Sequence, residues 1–124
     1  MKTVRLHGHE YPLEMTVQAF ADISDLCPGK DIQRMQEIAS MPTGESMILT
    51  AKILAAMSSA AENKLHFEDS AYIPNPITVE AVTVLPVTEY TEVMKTVFET
   101  LGECMSDQTV ELEAPKKNSE TDEK

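Results

Sequence analysis

Ten residues near the start of the chain, Val4-Arg5-Leu6-His7-Gly8-His9-Glu10-Tyr11-Pro12-Leu13, restrict its fold more than any other stretch. They read as two short strands around His7-Gly8. Glycine, and less readily histidine, accepts the positive φ that a two-residue hairpin turn requires. A turn at that point sets the register: Val4 faces Tyr11 on one side of the ribbon, and Arg5 faces Glu10 on the other. An isolated two-stranded ribbon is marginal in water. Its Val4/Leu6/Tyr11/Leu13 face must therefore rest on the helices that follow.

Helical spacing begins at once. Thr16, Ala19, Phe20, Ile23 and Leu26 recur at intervals of three and four, predicting a helix over about 16–27 that Pro28-Gly29 ends. Asp31 is a usable N-cap for a second short helix, about 31–41, with Ile32, Met35, Ile38 and Ala39 as its apolar stripe; Pro42-Thr43-Gly44 breaks it. The segment 45–63 is apolar nearly all round, as expected of a central helix covered on several sides. Residues 64–76 lack periodicity and contain Pro74 and Pro76, so a connecting loop is expected there, with Tyr72 and Ile73 packing back. Residues 77–85 are β-branched enough for a strand, but Thr78 as N-cap and Pro86 as a break favour a helix. The last helix, about 86–105, has the clearest stripe: Val87, Tyr90, Met94, Val97, Leu101 and Cys104, widened by Phe98 and Met105. Beyond it, 106–124 is rich in charge and poor in apolar residues, which predicts a flexible tail.

The fold class expected is thus mainly α: an N-terminal β-hairpin over 3–14 packed on a bundle of four to five short helices, forming one compact domain over 1–105 and a disordered acidic C-terminal tail. A net charge of −11 argues against nucleic acid and anionic membranes, since phosphate binding needs clustered cations. No stretch approaches the run of about 20 apolar residues that spans a bilayer. The chain opens without a charged and then apolar leader, so reduced Cys27 and Cys104 in the cytosol are expected. Eight methionines and no tryptophan make the apolar surface adaptable, which suits a protein partner as well as an ordinary core.

Chemistry-bearing patterns are thin. His7-x-His9 beside Glu10 offers two metal ligands on a turn, and two ligands do not make a site. His66 stands alone in sequence, and Cys27 before Pro-Gly reads as a structural thiol. No paired-carboxylate spacing, calcium loop or glycine-rich phosphate cradle occurs. No enzyme, no metal and no cofactor is expected. A groove along the exposed sides of the central and last helices is the candidate site, with Met47, Leu54, Met57, Tyr90, Met94, Phe98 and Leu101 as protein-interaction residues.

The hairpin pattern hydrophobic-x-hydrophobic-x-Gly-x-Glu-Tyr-x-Leu, followed by short helices, a Pro-Ile-Thr-Val-Glu segment before the last helix and a charged C-terminal stretch, resembles the small tail assembly chaperones of long-tailed phages and prophages of Gram-positive bacteria. The likeness spans roughly residues 3 to 105 and lies in the order and character of the elements. It implies a protein that binds the long helical tape measure protein in the host cytosol, keeps it soluble, helps recruit tail tube subunits and is absent from the finished virion. Self-association in multiple copies along one tape measure is compatible with that role. Members are often made in two lengths by ribosomal frameshifting, with which Lys116-Lys117-Asn118 is compatible. Two other classes fit the residues: a virion structural or connector protein, and a small host regulatory adaptor binding a partner helix.

Overall fold

The computed structural model describes residues 2–41 and 43–116, with side chains described to Met105 apart from those of Ala39 and Ser40. Strands β1 (Lys2–Leu6) and β2 (His9–Leu13) form an antiparallel ribbon in the expected register, with Val4 opposite Tyr11 and Arg5 opposite Glu10. Both turn residues have positive φ, 51° at His7 and 79° at Gly8. That pair of angles belongs to the turn whose twist matches a right-handed ribbon. The inward face buries Val4, Leu6 and Leu13, with Tyr11 partly covered.

Helix α1 (Val17–Leu26) starts at Thr16, whose hydroxyl accepts from the Ala19 N–H at 3.2 Å. Thr16 therefore caps the helix rather than joining its apolar stripe. Residues Pro28–Lys30 turn the chain, with Gly29 at φ 66°. Asp31 caps the next segment as expected, accepting from Gln33 N–H at 3.0 Å. That segment, Ile32–Ser40, is a 3-10 helix interrupted at Arg34 rather than a regular α-helix. Ile32, Met35 and Ile38 step by three, a spacing that a 3-10 helix aligns on one face. Pro42, the expected break, lies outside the described residues.

Helix α2 (Thr43–Glu68) is central, touching α1, β2, the 3-10 helix, α3 and α4. It runs five residues past the expected end, through Lys64–Glu68, because polar groups on its outer turn hold the following loop. Ser58, Glu62 and His66 lie at successive i, i+4 positions along one face. Ser58 Oγ accepts from Ile77 N–H at 2.7 Å, and Glu62 Oε1 accepts from Tyr72 O–H at 2.7 Å and Asn75 N–H at 2.8 Å. His66 Nδ1 meets the Tyr72 carbonyl at 2.8 Å. Tyr72 packs back as expected, whereas Ile73 does not and is 83% exposed.

Residues 79–83 settle as helix α3 (Val79–Thr83), capped by Thr78, whose hydroxyl accepts from Ala81 N–H at 3.1 Å. His7 at the hairpin turn reaches the Ala81 carbonyl at 2.9 Å, tying the ribbon to α3. Helix α4 (Val87–Lys116) extends through 106–116, where a flexible tail was expected. Gln, Glu, Leu and Ala in that stretch favour helix intrinsically. Residues 117–124, the rest of that expected tail, lie outside the described residues. The α4 stripe buries Met94, Val97 and Leu101 and adds Val93, while Val87 is exposed. One core results, with β2 against α2 and β1 against α4. The Glu14 N–H donates to the Met57 carbonyl at 3.2 Å, fixing the end of the ribbon on the central helix.

Candidate protein-interaction surface

Among the described residues two apolar clefts lie where α4 meets its neighbours. The larger, about 560 Å³, lies between the 3-10 helix and α4, floored by Thr50 and Ser46 of α2. Ile32, Met35, Ile38, Tyr90, Met94, Phe98, Leu101 and Met105 line it, and among the described residues no charged side chain does. The smaller, about 340 Å³, lies between the start of α2 and the α3–α4 corner, lined by Met47, Ile48, Ala51, Val82, Leu85, Val87 and Tyr90. Tyr90 lines both. Its hydroxyl hydrogen-bonds Thr50 Oγ1, which also donates towards the Ser46 and Met47 carbonyls at 3.0 Å.

The seven residues singled out from the sequence divide into three groups. Phe98, 46% exposed, and half-buried Tyr90 stand on the wall of the larger cleft, and half-buried Met47 lines the smaller. Met94 and Leu101 are buried and form part of the larger cleft's inner wall. Leu54 and Met57 are fully buried at 0% exposure and reach neither cleft. They are core residues: α2 is covered on the face that carries them, so no partner meets them on the folded surface. The apolar excess of α2 misplaced them, because an all-round apolar helix does not show which side is covered.

The sequence reading missed the contribution of the 3-10 helix, whose Met35 completes the larger cleft from across α4. The apolar stripe Ile32, Met35, Ile38 was the available signal. It also missed Ile48 and Val87 at the smaller cleft, 43% and 65% exposed.

Electrostatic contacts near these clefts are few and local. Arg34 donates to both Glu37 carboxylate oxygens at 2.8 Å, holding that carboxyl below its ordinary pKa. Cys27 is buried, and burial, with Asp31 second, pushes its thiol pKa up, which suits an inert structural thiol. His9 packs edge-on against Tyr11, ring centroids 4.4 Å apart. Among the described residues no group of three or more His, Cys, Asp or Glu side chains is placed to hold a metal ion. Nor is any helix among them long and apolar enough to cross a membrane. Comparison with known proteins finds no matching family model, curated protein or solved structure.

Proposed function

We propose that this chain is a phage or prophage tail assembly chaperone: it binds the tape measure protein, keeps it soluble in the host cytosol and helps recruit tail tube subunits around it. The observation that supports the reading is the larger cleft, an open apolar trough with three methionines and Phe98 in its lining, on a chain of net charge −11. A tape measure protein presents long apolar helical faces that aggregate when uncovered. Flexible methionine side chains adapt to successive stretches of such a face, and net negative charge keeps the covered complex dispersed. Binding would follow the helix-in-groove mode, apolar anchors at helical spacing entering the trough. The role requires no bond-making, no metal and no cofactor. Copies would work side by side along one client.

Co-expression with the tape measure protein of the same phage tests this. The expected result is a soluble complex that co-purifies with the full chain and is lost with Phe98→Ser. A client equally soluble without this chain, with no complex recovered, overturns the reading. Recovery of the protein in stoichiometric amounts from purified virions would instead favour a structural connector.

A further inference from the structure

We infer that the outer edge of β1 takes up an extended segment of another polypeptide, with an acidic residue set opposite Arg5 and an apolar residue opposite Val4. This surface lies apart from both clefts, and it does not depend on the client reading above. The ribbon register identifies the edge. A two-residue turn makes Leu6 and His9 a hydrogen-bonded pair, and such pairs recur at alternate positions of an antiparallel ribbon, here Val4 with Tyr11 and Lys2 with Leu13. Pro12 has no N–H and falls on an unbonded position, opposite Thr3, in agreement with that alternation. The backbone N–H and C=O groups of Thr3 and Arg5 therefore point away from β2. Both residues are exposed, and these outward groups have no hydrogen-bond partner among the described residues. The β2 edge offers less: Pro12 cannot donate, and the Glu14 N–H already donates to the Met57 carbonyl of α2 at 3.2 Å.

An unpaired strand edge is recognised through backbone, so its occupant is an extended chain. Space and charge decide which chain. Helix α4 backs β1 and α2 backs β2, with Lys2 Nζ 3.3 Å from Glu103 of α4. A second copy paired through β1 brings its own α4 beneath its own β1. Adjacent strands lie about 4.8 Å apart whereas packed helix axes need about 8–10 Å, so the two helices would collide. A lone extended segment brings no helix and fits. Residues 117–124 of this chain hold no apolar side chain to set opposite Val4. An antiparallel guest meets Arg5, Val4 and Thr3 in that order along its own direction. Its residues opposite Arg5 and Thr3 share the solvent face, where Arg5 is exposed and forms no ion pair among the described residues even with Glu10 opposite. An acidic side chain set there meets the guanidinium from the free side, and a threonine suits Thr3. The residue between them lies on the face of Val4, towards α4, and is apolar.

The probe is a synthetic peptide of about eight residues in which valine alternates with threonine and one glutamate replaces the threonine that would face Arg5. Its valine amides, which face away from β1, are N-methylated to keep it monomeric. Added to the isotope-labelled full chain, it should slow amide exchange at Thr3 and Arg5 and leave Val4 and Leu6, already bonded within the ribbon, unchanged. Lysine in place of the glutamate should weaken binding roughly fivefold. Moving the N-methyl groups to the glutamate and threonine amides, which face β1, should weaken it about tenfold or more. The paired exchange Arg5→Glu with Glu10→Arg keeps the cross-strand pair and should reverse the preference between glutamate and lysine peptides. No slowing at Thr3 and Arg5 with millimolar peptide, equal binding of the two N-methylated forms, or an unreversed preference in the exchanged variant overturns the inference. Protection at Thr3 and Arg5 that grows with protein concentration before peptide is added also overturns it, by putting a second copy on the edge. Slowed exchange at Met94 and Phe98 in place of β1 overturns it too, by putting the peptide in the larger cleft.

Discussion

Tyr90 and Thr50 meet hydroxyl to hydroxyl across the α2–α4 contact, and the Tyr90 ring is the partition between the two clefts. Thr50 keeps the Ser46 and Met47 carbonyls of its own helix as partners, so losing the phenol leaves no buried polar group stranded. Tyr90→Phe should therefore lower stability by only about 0.5–1.5 kcal/mol, the ordinary net worth of one hydrogen bond. Tyr90→Ala should do more: it removes the partition and joins the clefts, at about 3 kcal/mol or more for a truncated aromatic. Urea unfolding of both variants measures this, and a Tyr90→Phe loss as large as that of Tyr90→Ala would show that the ring contributes nothing as a wall.

Among the described residues Glu62 is the one acidic side chain that is fully buried, 2% exposed, and its work is to hold the 69–77 loop. Glu62→Ala should destabilise by about 1–3 kcal/mol and free the amide of Asn75, with faster hydrogen exchange at Asn75 and Ile77 as the local readout. Glu62→Gln keeps an acceptor oxygen and should retain most of the protection.

The same contact predicts alkaline behaviour. Tyr72 donates to the Glu62 carboxylate, and that hydrogen bond, ahead of desolvation, raises the phenol pKa above its ordinary 10.0. A group whose folded pKa is raised contributes stability that is complete below its unfolded value and is lost as pH rises through the folded one. Stability should thus be steady through neutral pH and decline above about pH 10. Glu62→Gln should bring the Tyr72 titration back towards 10.0. Tyrosinate absorbance, differenced against Tyr72→Phe, resolves Tyr72 from the other two tyrosines.

The parts of this fold that were readable from sequence are those set by local chemistry. His7-Gly8 determined the ribbon register because side-chain alternation admits no one-residue slip without turning the buried face outward. Asp31 and Thr78 announced their helix starts because each can accept from an N–H two or three residues on. What stayed hidden depends on contacts distant in sequence. The extension of α2 through Lys64–Glu68 needs Ser58, Glu62 and His66 to be answered by a loop some 6 to 19 residues away. Likewise Met57 and Phe98 carry the same apolar signal in sequence, and only packing shows that one is sealed and the other lines a cleft.

That distinction is measurable. Leu54→Ala should destabilise by about 2–5 kcal/mol, because the site at 0% exposure cannot collapse fully around the void. Phe98→Ser should change stability by no more than about 1 kcal/mol, since nearly half its surface is already in water, while still weakening client binding. If thermal melts rank the two the other way, the division between core and cleft wall drawn here is wrong.

Glycine offers a closing contrast, because the same substitution should act with opposite sign at two places. Gly8 has φ 79° in the hairpin turn and open space around it, so a methyl group meets nothing but forces a left-handed backbone on alanine. Gly8→Ala should cost about 1–2 kcal/mol and loosen the register between Val4 and Tyr11. Gly102 sits inside α4 at ordinary helical angles, also with no atom within 4 Å of an added Cβ. Gly102→Ala should stabilise by up to about 1 kcal/mol, through helix propensity and a less flexible unfolded chain. Because Gly102 also lines the larger cleft, the added methyl narrows the trough beside Phe98. The variant should therefore melt higher and bind client more weakly, so gains in stability and in binding separate at this residue. A Gly102→Ala protein that melts higher and binds as tightly as before would place the client elsewhere on the surface.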